Sequence, residues 1–329
     1  MGRIKTASVH CDAHVLPPWT IRFKYTRYLS DSIQLRRVLP VLVPIGDVVS
    51  RKELPIGVFD SGVGGLTVVR AMRDLLPHED IIYLGDTARV PYGSRSPETV
   101  ARYAQRVAGH LLRRGIKALV VACNTATTYG LESLSEVGDT RGIPVIGVID
   151  PGVKAALSAT TTGHIGIIGT EGTIKGGAYT SLLKQRRPDL SITTKACPLF
   201  VALAEEGWTD GDIAQAVATR YLSDLKDGPD TLILGCTHYP LLTNAIAATL
   251  PGVKLVDSAT STANTVAQVL TANNLARSSG VGHTRYLVTD NKQRFLSAGS
   301  RFLGTEPTPT EVVDIDDADQ AAWQPEVAK

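Results

Sequence analysis

The chain has 329 residues, of which 43% are apolar and 20% charged, which is typical of a soluble globular protein with room for two domains. No stretch offers the roughly 20 uninterrupted apolar residues of a membrane helix, since Pro40, Pro44 and Asp47 interrupt the best candidate. The net charge of +2 is unevenly spread: residues 1–54 hold nine Lys or Arg against four Asp or Glu, and the remainder holds 25 against 28. A faintly acidic folded part disfavours a general nucleic-acid binder.

Residues 1–54 precede the regular part of the sequence. Their basic residues are not followed by a continuous apolar stretch, so they do not resemble a secretory signal. The segment "HCDAH" offers His10, Cys11 and His14 as metal-ligand types, but no further ligands stand near them, and we expect no metal site. We interpret residues 1–54 as an irregular basic N-terminal extension or as the result of a misassigned start.

From Ile56 onward, short apolar runs alternate with longer amphipathic ones. Helical spacing of apolar residues is clear over Pro97–Arg114 and Asp210–Leu225. Alternation of this kind implies mainly parallel sheets covered by helices, so the sequence predicts an α/β protein. The predicted strands are Ile56–Phe59, Ile81–Leu84, Leu119–Ala122, Val145–Val148, Ile165–Ile168, Ile192–Lys195, Leu232–Leu234 and Lys254–Val256.

The two halves of this region resemble one another. "IGVFDSG" at residue 56 resembles "IGIIGTEG" at residue 165, and "ALVVACNTA" at residue 118 resembles "TLILGCTHYP" at residue 231. Repetition of α/β units alone produces weak matches of this kind, but here each half also carries a cysteine, Cys123 or Cys236, at a similar distance from its glycine-rich turn. After Gly304 the chain is rich in proline and acidic residues, which predicts a disordered acidic tail over residues 305–329.

Cys123 and Cys236 directly follow apolar strands, and ligands of open α/β sheets bind outside the carboxyl ends of the strands. Two halves that face one another would place these thiols on either side of one cleft, which suits a reaction with two acid/base groups on opposite faces of one carbon atom. A cysteine removes a proton only as thiolate, so His238 could assist Cys236, and Asp60 could approach Cys123 from an adjacent strand. A single cysteine after a strand is more often a buried apolar side chain, and we interpret Cys197 in this way.

Polar residues near the two cysteines suit a small anionic ligand. Asn124, Thr125 and Thr237 are donors for a carboxylate, assisted by backbone N–H groups if helices begin there. The turn "DSGVGG" lacks the third glycine of a dinucleotide fingerprint, and the chain lacks a P-loop, so Asp60 and Ser61 are better interpreted as hydrogen-bonding groups. Most loops like "VPYGSRS" only begin a helix, but such a loop could also hold an anion, and its candidates are Tyr92, Gly93 and Ser94.

Seven stretches together resemble a known family: "GVFDSGVGGLTV", "DTARVPYGSRS", "VVACNTAT", "GVIDPG", "GIIGTEGTI", "ACPLFVALAEEG" and "LILGCTHYPLL". On these motifs, which spread over about residues 55–304, the chain resembles the glutamate racemases of the aspartate/glutamate racemase superfamily. The resemblance implies two similar doubly wound α/β domains related by a pseudo-twofold axis, with the active site in the cleft between them. The first domain is expected to comprise residues 55–150 with about 265–304, and the second residues 151–264.

The activity that this resemblance implies is a 1,1-proton transfer without a cofactor, which interconverts L- and D-glutamate. Cys123 would act on the D enantiomer with help from Asp60, and Cys236 would act on the L enantiomer with help from His238. Glu205 would be a further carboxylate near the site. The substrate contacts that the resemblance implies are Asp60, Ser61, Tyr92, Gly93, Asn124, Thr125, Thr237 and His238.

The resemblance further implies a cytoplasmic enzyme that supplies D-glutamate for peptidoglycan. Four cysteines without a CxxC pair form no disulfide framework, which also indicates a reducing compartment. Longer N-terminal segments in some bacterial members are linked to activation by a peptidoglycan precursor. The sequence does not determine whether the protein forms a homo-oligomer. Two alternatives remain: an aspartate racemase of the same superfamily, in which Glu typically replaces His238, and a non-catalytic role in regulating DNA gyrase.

Overall fold

Two parallel β-sheets form the frame of the protein in a computed structural model that describes residues 50–324. Most strands consist of apolar and β-branched residues that are buried on both faces, as expected for parallel sheets covered by helices. The strands of this part of the chain are β1 (Ile56–Asp60), β2 (Ile81–Gly85), β3 (Ala118–Val121), β4 (Val145–Gly147), β5 (His164–Gly169), β6 (Ser191–Ala196), β7 (Thr231–Gly235), β8 (Lys254–Asp257), β9 (Thr284–Val288) and β10 (Thr310–Val312).

Helices connect the strands and cover the sheets. The α-helices between residues 50 and 324 are α1 (Leu66–Leu75), α2 (Pro97–Arg113), α3 (Asn124–Arg141), α4 (Ile149–Ala159), α5 (Glu171–Gly176), α6 (Ala178–Arg186), α7 (Leu199–Glu206), α8 (Gly211–Leu222), α9 (Thr243–Thr249), α10 (Ala259–Ala272), α11 (Lys292–Leu303) and α12 (Asp317–Ala322). Short 3-10 helices lie at Arg51–Glu53, Tyr92–Ser94, Ser223–Leu225 and Tyr239–Leu242. None of these helices combines the length and apolarity that a membrane crossing requires.

Local sequence explains where the longer helices begin and end. Helix α2 begins behind Ser96, whose side chain accepts a hydrogen bond from the Thr99 N–H, and Pro97 occupies its first position. Helix α3 ends at Gly142, which has a left-handed φ of 64°. The predicted helices at Pro97–Arg114 and Asp210–Leu225 correspond to α2 and to α8 with the 3-10 turn that follows it.

The two sheets share a strand order. The larger sheet has the order β10-β9-β2-β1-β3-β4, the smaller has the order β6-β5-β7-β8, and every neighbouring pair is parallel. Four strands of the larger sheet, β2-β1-β3-β4, therefore correspond in order to the whole smaller sheet. Cys123 and Cys236 follow β3 and β7, which occupy equivalent places. The predicted α/β class with mainly parallel sheets is confirmed.

The larger sheet is discontinuous in sequence, because β9 and β10 join β1 to β4 after the chain has completed the smaller sheet. Strand β9 pairs with β2 and was not among the predicted strands. Both sheets belong to one compact unit, and one apolar core contains Val58 and Val120 of the larger sheet together with Leu232 and Leu234 of the smaller. The domain bounds expected from the resemblance remain a prediction.

The expected irregular extension falls mostly outside the described part of the chain, which begins at residue 50, and His10, Cys11 and His14 lie outside it. The described end of this segment is regular, since Arg51–Glu53 form a 3-10 helix. Lys117 directly precedes β3 and is fully buried. It pairs with Glu79 and donates a hydrogen bond to the Lys52 carbonyl at 2.5 Å. This contact holds the short helix against the amino ends of the strands.

Residues 305–324 are folded, so the prediction of a disordered acidic tail is wrong for this segment, and residues 325–329 lie outside the described part. Strand β10 extends the larger sheet beside β9, and α12 packs against α2. Trp323 is only 1% exposed and joins Val313 and Ile315 in the core around α2. These few apolar side chains anchor a segment whose average composition resembles that of a disordered chain.

Acidic residues of the C-terminal segment are engaged with the fold. Asp316 and Asp319 form a reciprocal capping box at the start of α12. Asp319 is fully buried, pairs with Arg113, and has its carboxylate 3.2 Å from His110 Nδ1. The Asp319 carboxylate is thus held by partners on α2 and is not a solvated charge, which the composition of the segment does not reveal.

Candidate active site

A cavity of about 550 Å³ lies between the carboxyl ends of the two sheets. It is lined by residues that follow β1, β3 and β7 and by the loop after β2. The structure brings together around it all the residues that the sequence singled out as catalytic or substrate-binding: Asp60, Ser61, Tyr92, Gly93, Cys123, Asn124, Thr125, Glu205, Cys236, Thr237 and His238. Ser94 also lines the cavity.

Asp60 lies at the end of β1, where the turn to α1 wraps its carboxylate. Its Oδ2 accepts hydrogen bonds from the N–H groups of Gly62 at 3.2 Å and Gly65 at 3.0 Å, and the side chain is buried. A Cβ on Gly65 would lie 2.6 Å from the Asp60 Cβ, so this close approach requires glycine. The glycine-rich turn thus binds a side chain of the protein, in keeping with its lack of a nucleotide fingerprint.

Cys123 caps the N-terminus of α3. Its Sγ accepts a hydrogen bond from the Ala126 N–H at 3.5 Å, and its thiol donates to Ser61 Oγ at 3.8 Å. Burial raises the pKa of the Cys123 thiol, and the nearby Asp60 carboxylate raises it further, whereas the contacts with Ala126 and Ser61 act in the opposite direction. Cys123 is therefore a thiol at neutral pH.

Cys236 begins a chain of polar side chains along the wall of the cavity. Its Sγ lies 3.7 Å from His238 Nδ1, which is also 3.4 Å from Thr237 Oγ1, and His238 Nε2 lies 3.2 Å from Glu205 Oε1. Burial alone would lower the pKa of His238, but the hydrogen bonds with Cys236 and Glu205 outweigh it and raise the pKa to about 10. Against the effect of burial, His238 and Arg294 lower the pKa of Glu205. A protonated imidazole beside a sulfur atom stabilises a thiolate.

Arg294 of α11 is a cavity residue that sequence reasoning missed. Its Nη2 lies 3.2 Å from Glu205 Oε2, so it extends the chain that begins at Cys236. Arg294 stands 89 residues after Glu205, outside every motif of the resemblance. Only the packing of α11 beside α7 brings the two side chains together.

Tyr92 reaches the cavity from the loop after β2 and is held by Asp86. Its hydroxyl donates to Asp86 Oδ2 at 2.7 Å, and Asp86 Oδ1 accepts from Arg89 at 2.8 Å and from Thr289 at 2.9 Å. Burial and the Asp86 carboxylate raise the pKa of Tyr92, so its hydroxyl stays protonated. Arg89 also donates to the Ile315 carbonyl at 3.0 Å, which connects this loop to the C-terminal segment.

Gly93, Asn124 and Thr125 face the loop and helices that follow β5. A Cβ on Gly93 would lie 2.7 Å from the Thr170 Cβ, and Thr125 Oγ1 lies 2.9 Å from Thr170 Oγ1. Asn124 Oδ1 accepts a hydrogen bond from the Tyr179 hydroxyl at 2.7 Å, whereas its buried Nδ2 has no hydrogen-bond partner among residues 50–324. An amide whose oxygen is fixed and whose N–H groups are free can bind an acceptor in the cavity.

The described part of the chain offers no cluster for a metal ion, since no three His, Cys, Asp or Glu side chains of residues 50–324 are suitably grouped. Cys197, interpreted from the sequence as a core residue, is fully buried, and its thiol contacts the Lys195 carbonyl at 3.8 Å. It does not line the cavity, unlike Cys123 and Cys236. The side chains that line the cavity supply two thiols, carboxylates, an imidazole and hydrogen-bond donors.

The chain is similar in sequence to proteins of one racemase family. The profile of the family described as Asp/Glu/Hydantoin racemase matches residues 64–266, a range that contains both cavity cysteines. A glutamate racemase of Geobacter metallireducens is 54% identical over 252 residues, which are 76% of this chain and 92% of the relative.

Solved structures show the same relationship. Glutamate racemase of Francisella tularensis in complex with D-glutamate matches with a TM-score of 0.76 at 39% identity, and the match covers 81% of this chain and 99% of that chain. Escherichia coli glutamate racemase in complex with L-glutamate and the activator UDP-MurNAc-Ala matches with a TM-score of 0.66 at 30% identity, and the match covers 80% and 99%. The chain therefore belongs to the Asp/Glu/Hydantoin racemase family, in which the relatives it resembles are glutamate racemases.

Proposed function

We propose that this protein interconverts L- and D-glutamate by proton transfer between the substrate and two thiols, those of Cys123 and Cys236. The observation that carries the proposal is that both thiols follow equivalent strands of two sheets and line one cavity of about 550 Å³. A racemase needs a base on one face of the α-carbon and an acid on the other, and two matched thiols supply both. Relatives named glutamate racemase, one of them 54% identical, support glutamate as the substrate.

For L-glutamate, the Cys236 thiolate removes the α-proton. The C–H bond breaks, an S–H bond forms, and the electron pair remains on the α-carbon. The Cys123 thiol then delivers its proton to the opposite face of the α-carbon. The α-carbon thereby acquires the D configuration, and Cys123 becomes the thiolate. The reaction of D-glutamate uses the same steps in reverse, with Cys123 as the base.

The two thiols have different surroundings. Burial and the Asp60 carboxylate raise the pKa of Cys123 and keep it a thiol, whereas the imidazolium of His238 stands beside Cys236. For the D direction, Cys123 must lose its proton, and Asp60 is the nearby carboxylate that can assist.

Hydrogen-bond donors must stabilise the carbanion, because the α-proton of an amino acid is weakly acidic. The free Asn124 Nδ2 and the hydroxyls of Thr125, Thr237 and Ser61 line the cavity and suit the substrate carboxylates. Donors that are held in place before the reaction and shielded from water stabilise developing charge strongly. Because both sheets contribute donors, substrate binding depends on both sheets.

We further propose that the product D-glutamate is used in peptidoglycan synthesis and that the enzyme works in the cytoplasm, where reducing conditions keep its catalytic cysteines as thiols. The E. coli relative has been solved with UDP-MurNAc-Ala as an activator. A peptidoglycan precursor of that kind is accordingly the activator to test here, by measuring racemisation in its presence and absence.

Proton NMR in D2O tests the proposed reaction and its substrate together. The protein, without added cofactor, is incubated with L-glutamate and separately with L-aspartate. We expect the α-proton signal of glutamate to disappear as D-glutamate forms, while aspartate stays unchanged. Exchange of aspartate alone would contradict the assignment of glutamate, and exchange of neither would contradict racemisation by the protein without a further activator.

A further inference from the structure

Helix α11 presents one face to the Cys236 half of the site. Arg294, Ala298 and Phe302 lie four residues apart on this helix, which places them on a common face. The Phe302 ring packs edge-on against the His238 ring, with centroids 5.1 Å apart, and Arg301 donates a hydrogen bond to the Glu205 carbonyl at 2.7 Å. This helix follows a strand of the larger sheet, whereas His238 and Glu205 follow strands of the smaller one.

Arg294 occupies the outer end of a continuous chain of contacts to a catalytic thiol. The contacts run from Arg294 Nη2 to Glu205 Oε2 at 3.2 Å, from Glu205 Oε1 to His238 Nε2 at 3.2 Å, and from His238 Nδ1 to Cys236 Sγ at 3.7 Å. Each carboxylate oxygen of Glu205 therefore has a cationic partner. If one partner is lost, the carboxylate is free to turn away from the other.

We propose that Arg294 is a positioning residue for the Cys236 half of the site, which holds the Glu205 carboxylate against His238 and thereby keeps the imidazole beside the Cys236 sulfur. The proposal rests on the proposed two-thiol mechanism. The position of the Cys236 thiol, which follows a strand of the smaller sheet, then depends on α11, which follows a strand of the larger sheet. Among the described residues, the Cys123 thiol forms hydrogen bonds with Ser61 and Ala126 and none with α11, so we expect Arg294 to affect one thiol.

The charged groups around this chain determine the expected direction. His238 is faced by the Cys236 sulfur, by Glu205 and, at longer range, by Asp60. Glu205 is faced by His238 and Arg294, and the exposed Glu206 lies 3.9 Å from the same guanidinium. Without Arg294, Glu205 loses one cation and its fixed orientation, so the His238 imidazolium is less well held and the Cys236 thiolate is less stabilised.

The exposure of Arg294 limits the size of the effect. Its side chain is 64% exposed, whereas that of Glu205 is 19% exposed. An exposed ion pair contributes little by itself, so we expect its loss to change the thiolate population of Cys236 by about threefold.

The test measures alkylation of the two thiols separately, in the full-length enzyme without substrate. Iodoacetamide reacts with thiolates, and trypsin releases Cys123 and Cys236 in different peptides, because Lys or Arg residues separate them. The variants are Arg294→Ala and Arg294→Lys, with Lys292→Ala as the matched control. Lys292 is an exposed cation at the start of the same helix and does not line the cavity.

We expect Arg294→Ala to slow alkylation of Cys236 at pH 7 by about threefold, with the Cys123 rate unchanged. Arg294→Lys should recover part of the loss, because lysine keeps the charge without the planar fork of donors. Lys292→Ala should behave like the parent. The pH dependence of Cys236 alkylation should move to higher pH in Arg294→Ala, and kcat for racemisation should fall several-fold in the same variant.

The proposal is overturned if Arg294→Ala slows alkylation of both thiols equally, which would indicate general loosening, or if it changes neither rate. It is also overturned if Lys292→Ala has an equal effect, because the change would then follow from the loss of any positive charge on α11. Failure of the two-thiol mechanism itself is measured separately, as full racemisation by a Cys236→Ala variant. The alkylation ratio does not require turnover, so the two failures are distinguishable.

Discussion

Replacement of Gly64 by alanine tests whether the two halves of the site must meet closely. Gly64 lies in the turn between β1 and α1, and its φ is not left-handed, so alanine can adopt the same backbone. A Cβ there would lie 2.5 Å from His238 Nδ1, although ordinary contact begins near 3.4 Å, and it would approach Thr237 Oγ1 more closely still. The added methyl group and the His238 ring must therefore move apart by about 0.9 Å to reach ordinary contact, and we expect His238 to move.

A displacement of that size in a catalytic group costs about 10²-fold in rate. We therefore expect Gly64→Ala to lower kcat/KM for racemisation about 100-fold, with a loss of unfolding free energy of about 1–3 kcal/mol from overpacking. The matched control is Gly62→Ala, whose Cβ would only make an ordinary 3.5 Å contact with Val90. Racemisation is followed by circular dichroism of glutamate, and stability by urea denaturation. A Gly64→Ala enzyme within threefold of the parent would refute the inference that this contact fixes His238.

Two further predictions concern the C-terminal segment and the titration of His238. Trp323→Ala should lower the free energy of unfolding by about 3–5 kcal/mol, because it removes a large buried side chain. Trp208→Ala, at a residue that is 54% exposed, should change the free energy of unfolding by less than about 0.5 kcal/mol. Equal urea midpoints for the two variants would contradict the packing of residues 305–324. The folded-state pKa of His238 is raised from 6.5 to about 10, so its protonation contributes stability that is fully present below pH 6.5 and is lost as pH rises through about 10. The urea midpoint should therefore decrease more between pH 7 and pH 10 in the parent than in His238→Gln. Equal decreases in the two proteins would contradict the raised pKa of His238.

The sequence predicted the strands and the site residues where local pattern and motif carried the information. All eight predicted strands exist, because alternation of apolar runs with amphipathic segments is a local signal. The cavity contains every predicted site residue. Cys123 and Cys236 follow equivalent strands, and parallel strands present their carboxyl ends to one edge of a sheet. Position after a strand did not suffice, because Cys197 follows β6 and is buried outside the cavity; the match between the two halves and the polar neighbours distinguished the two thiols from it.

Features that depend on distant partners were missed. Strand β9 escaped detection because "TRYLV" is short and begins with polar residues, and its pairing with β2 and β10 identifies it. Arg294 and Asp86 contact Glu205 and Tyr92, and these contacts become visible only when the distant elements are packed together. The C-terminal segment was judged by average composition, whereas its order depends on a few buried apolar side chains, among them Trp323, and on the Asp319 carboxylate paired with α2.

Single replacements of the two cavity thiols test the central claim most directly. Cys123→Ala and Cys236→Ala are assayed for full racemisation of L- and D-glutamate, with Cys197→Ala as a control because Cys197 is buried outside the cavity. Loss of an acid/base group should reduce racemisation by about 10²–10⁴-fold in each of the first two variants, with unchanged far-ultraviolet circular dichroism, while Cys197→Ala should keep most of the activity. If either Cys123→Ala or Cys236→Ala racemises glutamate at the parental rate, the two-thiol mechanism is contradicted.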